Sequence, residues 1–170
     1  MTGIALTARL VHVVLGAFWV GAILFVAIFL EPSVRETGPE SGKVMGALTR
    51  RGFMPVMITV GTVTVLTGIY LLWWLSGGFQ PGFMGSLSGV LLSTGGLVGI
   101  LALGVGLFVS RPALLRMGQV MTRVDQAGGP PSEADQALLA GLRNRLRLGA
   151  RLAGALLLLA VGLMAVGPHV

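Results

Sequence analysis

One imidazole stands inside an apolar run. In RLVHVVLGAFWVGAILFVAIFLEPSVRE, residues 9–36, everything between Arg9 and Glu31 is apolar or small except His12. Arg9, His12, Gly16, Trp19 and Ile23 follow one another at offsets of three and four, which places them on one face of a helix. An ionisable residue in such a setting is by default a functional candidate. Imidazole is the commonest metal ligand and an axial ligand of haem iron. Gly16, one turn along, leaves room beside the ring for a flat macrocycle, and Arg9, one turn back, is placed to meet a propionate. Tyr70, on a second helix running the other way, is expected at a similar depth and could meet His12. The alternative is a neutral histidine bonded to Tyr70, a threonine or a backbone carbonyl.

The elements that position these residues follow from composition. The chain has 170 residues, 54% hydrophobic and 11% charged, with a mean hydropathy of +0.89. A soluble domain carries roughly 25% charged residues. Four apolar stretches account for the deficit: Ile4–Leu30, Phe53–Leu75, Leu87–Val109 and Leu148–Val166. Each is close to the ~20 residues that cross a ~30 Å hydrocarbon layer as a helix. Alternating segments of the kind membrane strands need are absent, and Leu, Ala and Gly dominate. The expected fold is all-α, a four-helix bundle in one transmembrane domain over residues 1–170.

Charge placement orients it. Arg35, Lys43, Arg50 and Arg51 lie between the first and second stretches, and Arg111, Arg116, Arg123, Arg143, Arg145 and Arg147 between the third and fourth. The connection Ser76–Ser86 and the tail Gly167–Val170 carry no charge. Basic residues are retained on the cytoplasmic side, so both termini are expected outside, in a bacterial inner membrane. The net charge of +6 then serves anionic lipid headgroups rather than nucleic acid. The first stretch exceeds the 7–15 residues typical of a signal-peptide core and is read as retained.

Local signals predict further boundaries. A residue before proline is pushed away from the helical region, so the first helix should end at Glu31-Pro32. Pro39, Ser41 and Gly42 suggest a turn, followed by a short interfacial helix over Lys43–Arg51. Pro55 falls near the start of the second span, where a missing amide costs least. Tyr70, Trp73 and Trp74 form an aromatic cluster suited to a headgroup boundary. Leu114, Leu115, Met117, Val120, Met121 and Val124 make one helical stripe, and Leu138, Leu139, Leu142 and Leu146 another. Between them Gly128-Gly129-Pro130-Pro131 breaks the chain and Ser132 is a natural N-cap with Asp135 three on. The third and fourth helices are thus expected to run on as a cytoplasmic hairpin over residues 111–147. FLEPSVR and FVSRPALLR hint at an internal repeat. Sliding Pro32 onto Pro112 sets Gly16 on Gly96 but His12 on Leu92, so the histidine is not duplicated. Gly95-x-x-x-Gly99, Gly61 and Gly68 permit close helix approach, within the bundle or between copies. Thr59, Thr62, Thr64 and Thr67 can bond carbonyls of their own helix.

Several chemistries are excluded. There is no cysteine, hence no disulfide, thiolate metal site or cysteine nucleophile. No acidic residue lies inside a span, which rules out paired carboxylates and an acidic proton relay within the hydrocarbon. Arg151, near the basic end of the last span, can snorkel. For Cu(I), which favours soft sulfur and imidazole donors, Met84, Met164 and His169 should share the outer side with His12.

His12, Trp19, Gly21 and Pro32, in HVVLGAFWVGAILFVAIFLEP, resemble the first helix of small bacterial membrane proteins of the copper resistance protein D type. The stretch is more distantly similar to the four-helix haem-binding protoporphyrinogen oxidase of bacterial membranes. The resemblance implies copper handling or haem binding centred on His12. The oxidase family places a lysine near its haem, whereas the only lysine here, Lys43, is in a connection. The expected function is a non-catalytic accessory subunit of a membrane assembly or a homodimer, with haem, copper, a chlorin or another tetrapyrrole at His12. The alternative is a copper-handling or haem-dependent membrane oxidoreductase.

Overall fold

A computed structural model describes residues 3–37 and 41–170, in which helices α1–α8 occupy Gly3–Phe25, Glu31–Glu36, Ser41–Arg50, Phe53–Leu75, Pro81–Met84, Leu87–Val105, Arg111–Ala127 and Glu133–Val166. No strand occurs among the described residues. Four helical segments are long and apolar enough to cross a membrane: Gly3–Glu36, Phe53–Leu75, Leu87–Ala127 and Glu133–His169. They alternate in direction, and each packs on its neighbours in the cyclic order α1, α4, α6, α8. One end of the bundle gathers the arginines other than Arg9, and the other carries Trp73, Trp74 and the connection Ser76–Ser86. Large apolar side chains such as Phe18, Leu97, Phe108 and Leu158 point outward, an arrangement that lipid tolerates and water does not.

The first helix does not stop at Glu31-Pro32. Glu31 keeps helical angles, φ −63° and ψ −46°, and the chain stays helical to Glu36. The reason lies just upstream. Val26–Leu30 is a π-helical turn, closed by the Glu31 N–H donating to the Val26 carbonyl. A proline ring collides with the carbonyl four residues back and supplies no amide; the wider turn moves that carbonyl aside and absorbs the missing donor. In hydrocarbon, stopping would leave backbone groups unpaired at several kcal/mol each, so widening the helix is the cheaper response. Pro112 is treated identically: Gly106–Ser110 is a π turn, and the Arg111 N–H donates to the Gly106 carbonyl. The Pro32-to-Pro112 shift therefore superimposes both prolines and both π turns, which gives the faint sequence repeat a structural counterpart.

Helix α3 begins at Ser41, so Ser41 and Gly42 belong to it instead of preceding it, and Lys43 lies in its first turn; the turn expected at Pro39 falls outside the described residues. Gly52 turns the chain into α4 with φ +75°, a left-handed conformation that glycine adopts without penalty. The α4 boundaries match the apolar stretch to the residue.

Beyond the basic end, α7 and the first half of α8 pack as a hairpin around Val120, Val124 and Leu139, flanked by Met117. Leu115, Met121 and Leu138, assigned to the same stripes, face outward. Two helices in contact bury only a narrow seam, so the stripe edges stay exposed. Ser132 caps α8: its hydroxyl accepts from the Asp135 N–H at 3.1 Å and donates to the Asp135 carboxylate at 2.7 Å. Arg123 of α7 closes an ion pair with the same carboxylate.

These contacts make a pH prediction. The Ser132 hydroxyl, and then the Arg123 charge, hold the Asp135 carboxyl below its ordinary value of 3.8. A group with a depressed folded pKa contributes stability that is complete above the unfolded value and lost as pH falls through the folded one. Acidification below the usual carboxylate range is therefore expected to fray the start of α8. Amide exchange at Asp135 and Gln136 should show it as a rise in opening beyond the trend of the chain, and Asp135→Ala should abolish the excess. An identical pH profile in that variant would refute the assignment.

Candidate functional site

The face predicted from Arg9 to Ile23 packs on α4 in antiparallel register: His12 meets Gly68, Gly16 meets Thr64 and Trp19 meets Gly61. Glycine is required where the aromatic rings arrive. A Cβ on Gly61 would lie 2.9 Å from the Trp19 indole, and one on Gly68 would lie 2.8 Å from the His12 Cε1. This proximity brings the imidazole to the α4 backbone, where Nδ1 lies 2.8 Å from the Thr64 carbonyl oxygen. A carbonyl only accepts, so Nδ1 carries a proton, and the tautomer that matches this contact presents Nε2 as the lone pair. The Thr67 hydroxyl stands 3.4 Å from Nδ1 and donates to the carbonyls of Val63, at 2.7 Å, and Thr64, at 3.0 Å. Thr62 and Thr64 likewise bond back to Ile58 and Val60. Nε2 has no hydrogen-bond partner among the described residues.

Gly16 and Trp19 stay on this face, whereas Tyr70 and the methionine and histidine donors assigned with His12 lie apart from it. Tyr70 is two positions past Gly68, about 200° around the helix at ~100° per residue, and its ring pairs with Trp73 at 6.1 Å instead of meeting His12. Arg9 is exposed and makes no ion pair among the described residues. The space expected beside Gly16 is taken by Thr64, whose Cγ2 would touch a Cβ there at 3.5 Å. Met164 packs into the α6–α8 seam beside Gly95, Met84 ends α5, and His169 lies in the 3-10 turn after α8. These three lie on the α5–α8 half of the chain, whereas His12 is held by α4. Among the described residues no three His, Asp or Glu side chains stand together as a metal would need. The chain's own donors at this point amount to one imidazole nitrogen, oriented by a backbone carbonyl as metal-ligating histidines commonly are. One imidazole nitrogen does not make a complete copper site, whereas a haem iron can be held by a single axial histidine.

A second feature escaped the sequence reading. At the basic half of the bundle a partly enclosed apolar cavity of about 130 Å³ reaches from Trp19, Met57 and Ala102 up to Leu48 and Thr49 of α3. Both π turns contribute to it, through Val26 and through Gly106 and Ser110. At ~24 cal/mol per Å³ an empty void of that size costs roughly 3 kcal/mol. The only sequence sign of it is the pair of prolines inside long helices, since helix distortion at Pro32 and Pro112 is what draws the π turns to the cavity. Beside it, Glu31 accepts from the Arg147 Nε at 2.7 Å, tying the end of the first span to α8.

Set against protein-family models, curated proteins and solved structures, the chain matches none of them.

Proposed function

We propose that this chain is a non-catalytic integral membrane subunit, seated in a bacterial inner membrane with both termini outside and the arginine-rich hairpin in the cytoplasm. The reading rests on charge asymmetry for orientation and on one geometric observation for function. His12 is fixed at Nδ1 by the Thr64 carbonyl, and its Nε2 is, among the described residues, the intramembrane imidazole nitrogen left free to ligate. A single imidazole completes no copper site, although one axial histidine can hold a haem iron. In this reading copper takes its remaining ligands, and a tetrapyrrole the rest of its pocket, from another membrane chain or a second copy of this one, which makes the protein an accessory subunit or a homodimer. The basic hairpin meets anionic headgroups at the cytoplasmic surface.

The test is the absorption spectrum, metal content and mass of the protein purified in mild detergent, compared with His12→Ala. A Soret band, or copper at no more than one per two chains, is expected in the native protein as an oligomer or partner complex. Its loss in His12→Ala, with helix content unchanged, supports the assignment. A colourless, metal-free monomer, or a chromophore retained by the variant, overturns it.

A further inference from the structure

The cavity at the basic half of the bundle is apolar along its depth and polar only at its upper rim. Its walls, with Trp19 at the bottom, are hydrocarbon; apolar cavities of ~150 Å³ stay dry and accept apolar ligands. Near the top sits Ser110. A helical serine ordinarily donates to the carbonyl four residues back, here that of Gly106, which in the π turn accepts from the Arg111 N–H. The Ser110 hydroxyl has no hydrogen-bond partner among the described residues, in contrast to the intramembrane threonines of α4. Arg50 and Arg51 directly follow Thr49, which lines the cavity; both are exposed and make no ion pair among the described residues. Arg147, by contrast, is already matched by Glu31.

We propose that this cavity takes the terminal segment of one acyl chain of an anionic glycerophospholipid. The chain end reaches Trp19, the rest of the chain runs along the open side of the cavity with its ester region at the level of Ser110, and the phosphate is matched by Arg50 and Arg51. Charge complementarity selects an anionic lipid over a zwitterionic one, because guanidinium groups pair with phosphate most strongly where no competing cation is attached to the lipid. The π turns set the width of the site, since a plain α-helical turn would draw Val26 and Gly106 into a different register. The inference is independent of His12, which lies at the other end of the bundle.

Trp19 reports on occupancy. The chain has three tryptophans, so Trp73→Phe/Trp74→Phe leaves Trp19 as the sole emitter, and its 5% exposure shields it from bulk lipid. The double variant is reconstituted in phosphatidylcholine vesicles and titrated with phosphatidylglycerol or phosphatidylcholine carrying brominated acyl chains. Saturable quenching is expected at a several-fold lower mole fraction of the brominated phosphatidylglycerol. Adding Arg50→Gln/Arg51→Gln should bring the two curves together. Gly106→Leu should remove the saturable phase, because a Cβ at Gly106 meets nothing within 4 Å and the side chain can enter the cavity. If Gly106→Leu fails to fold, the arginine variant decides alone, since it leaves the four spans untouched. Equal quenching by the two lipids, or none by either, overturns the proposal.

Discussion

Trp19→Ala is expected to lower the unfolding free energy of the bundle by about 3 kcal/mol, the lower end of the range for truncating a large aromatic in a core. Trp19 is buried where all four spans meet, against Met57, Ala102 and Leu157, with Gly61 directly beneath the indole. The choice of the lower end has a physical reason. In water, truncation loses both the transfer free energy of the side chain and the packing around it. In a bilayer the separated helices already lie in hydrocarbon, so the transfer part is small and the lost dispersion contacts and the void remain. The void would also merge with the cavity above it, and no neighbour is placed to refill both, because Gly61 has no side chain. Denaturation in mixed micelles, followed by helix content, measures the change. Trp19→Phe should retain more than half of the loss. A change below about 1 kcal/mol for Trp19→Ala, on the same scale, would show that the helices are not held together at this point.

What the sequence could disclose depended on the range of the interaction. Phe53–Leu75 was readable to the residue because hydrocarbon solvation acts on each side chain in turn and Gly52 ends the run. The cap at Ser132 was readable because its partner, Asp135, is three residues away. The stretch from Arg9 to Ile23 was readable as one face, since helical periodicity alone determines it. The identity of the surface opposite that face was not. Tyr70 and Gly68 lie at nearly the same depth, and only the rotation of α4 about its axis, set by packing against its neighbours, decides that glycine and a carbonyl meet the imidazole. At Pro32 the local rule pointed the wrong way for a related reason. The preference of a residue before proline reflects chains that can turn into water, while here the cost of unpaired backbone in lipid keeps the helix going through a π turn. The cavity had no sequence signature of its own, because a void is what packing leaves behind.

Gly95 and Gly99 form a single sequence motif, and the structure predicts that they respond to substitution in opposite ways. Gly95 faces α8. A Cβ there would lie 2.9 Å from the Met164 Cγ, 3.2 Å from the Ala160 carbonyl oxygen and 3.4 Å from the Leu163 Cβ. The methionine can swing aside, but the carbonyl belongs to the backbone of α8 and cannot, so the helix itself must retreat. Gly95→Val is expected to destabilise the bundle by about 2–3 kcal/mol, the upper part of the overpacking range, with loss spreading along α8 because Gly149 and Gly167 hold the same seam against Ser110 and Leu92. Gly99 is buried, yet a Cβ there would meet nothing within 4 Å. Gly99→Ala should therefore show only the gain in helix propensity, up to about 1 kcal/mol of added stability. The pair also separates two meanings of the motif. If these glycines joined copies of the chain, both substitutions would shift the protein toward monomer. If Gly95 closes the α6–α8 seam, Gly95→Val lowers the unfolding midpoint at every protein concentration, and Gly99→Ala raises it. Mixed-micelle denaturation at two protein-to-detergent ratios distinguishes these outcomes, and a matching loss in both variants would remove Gly95 from the seam.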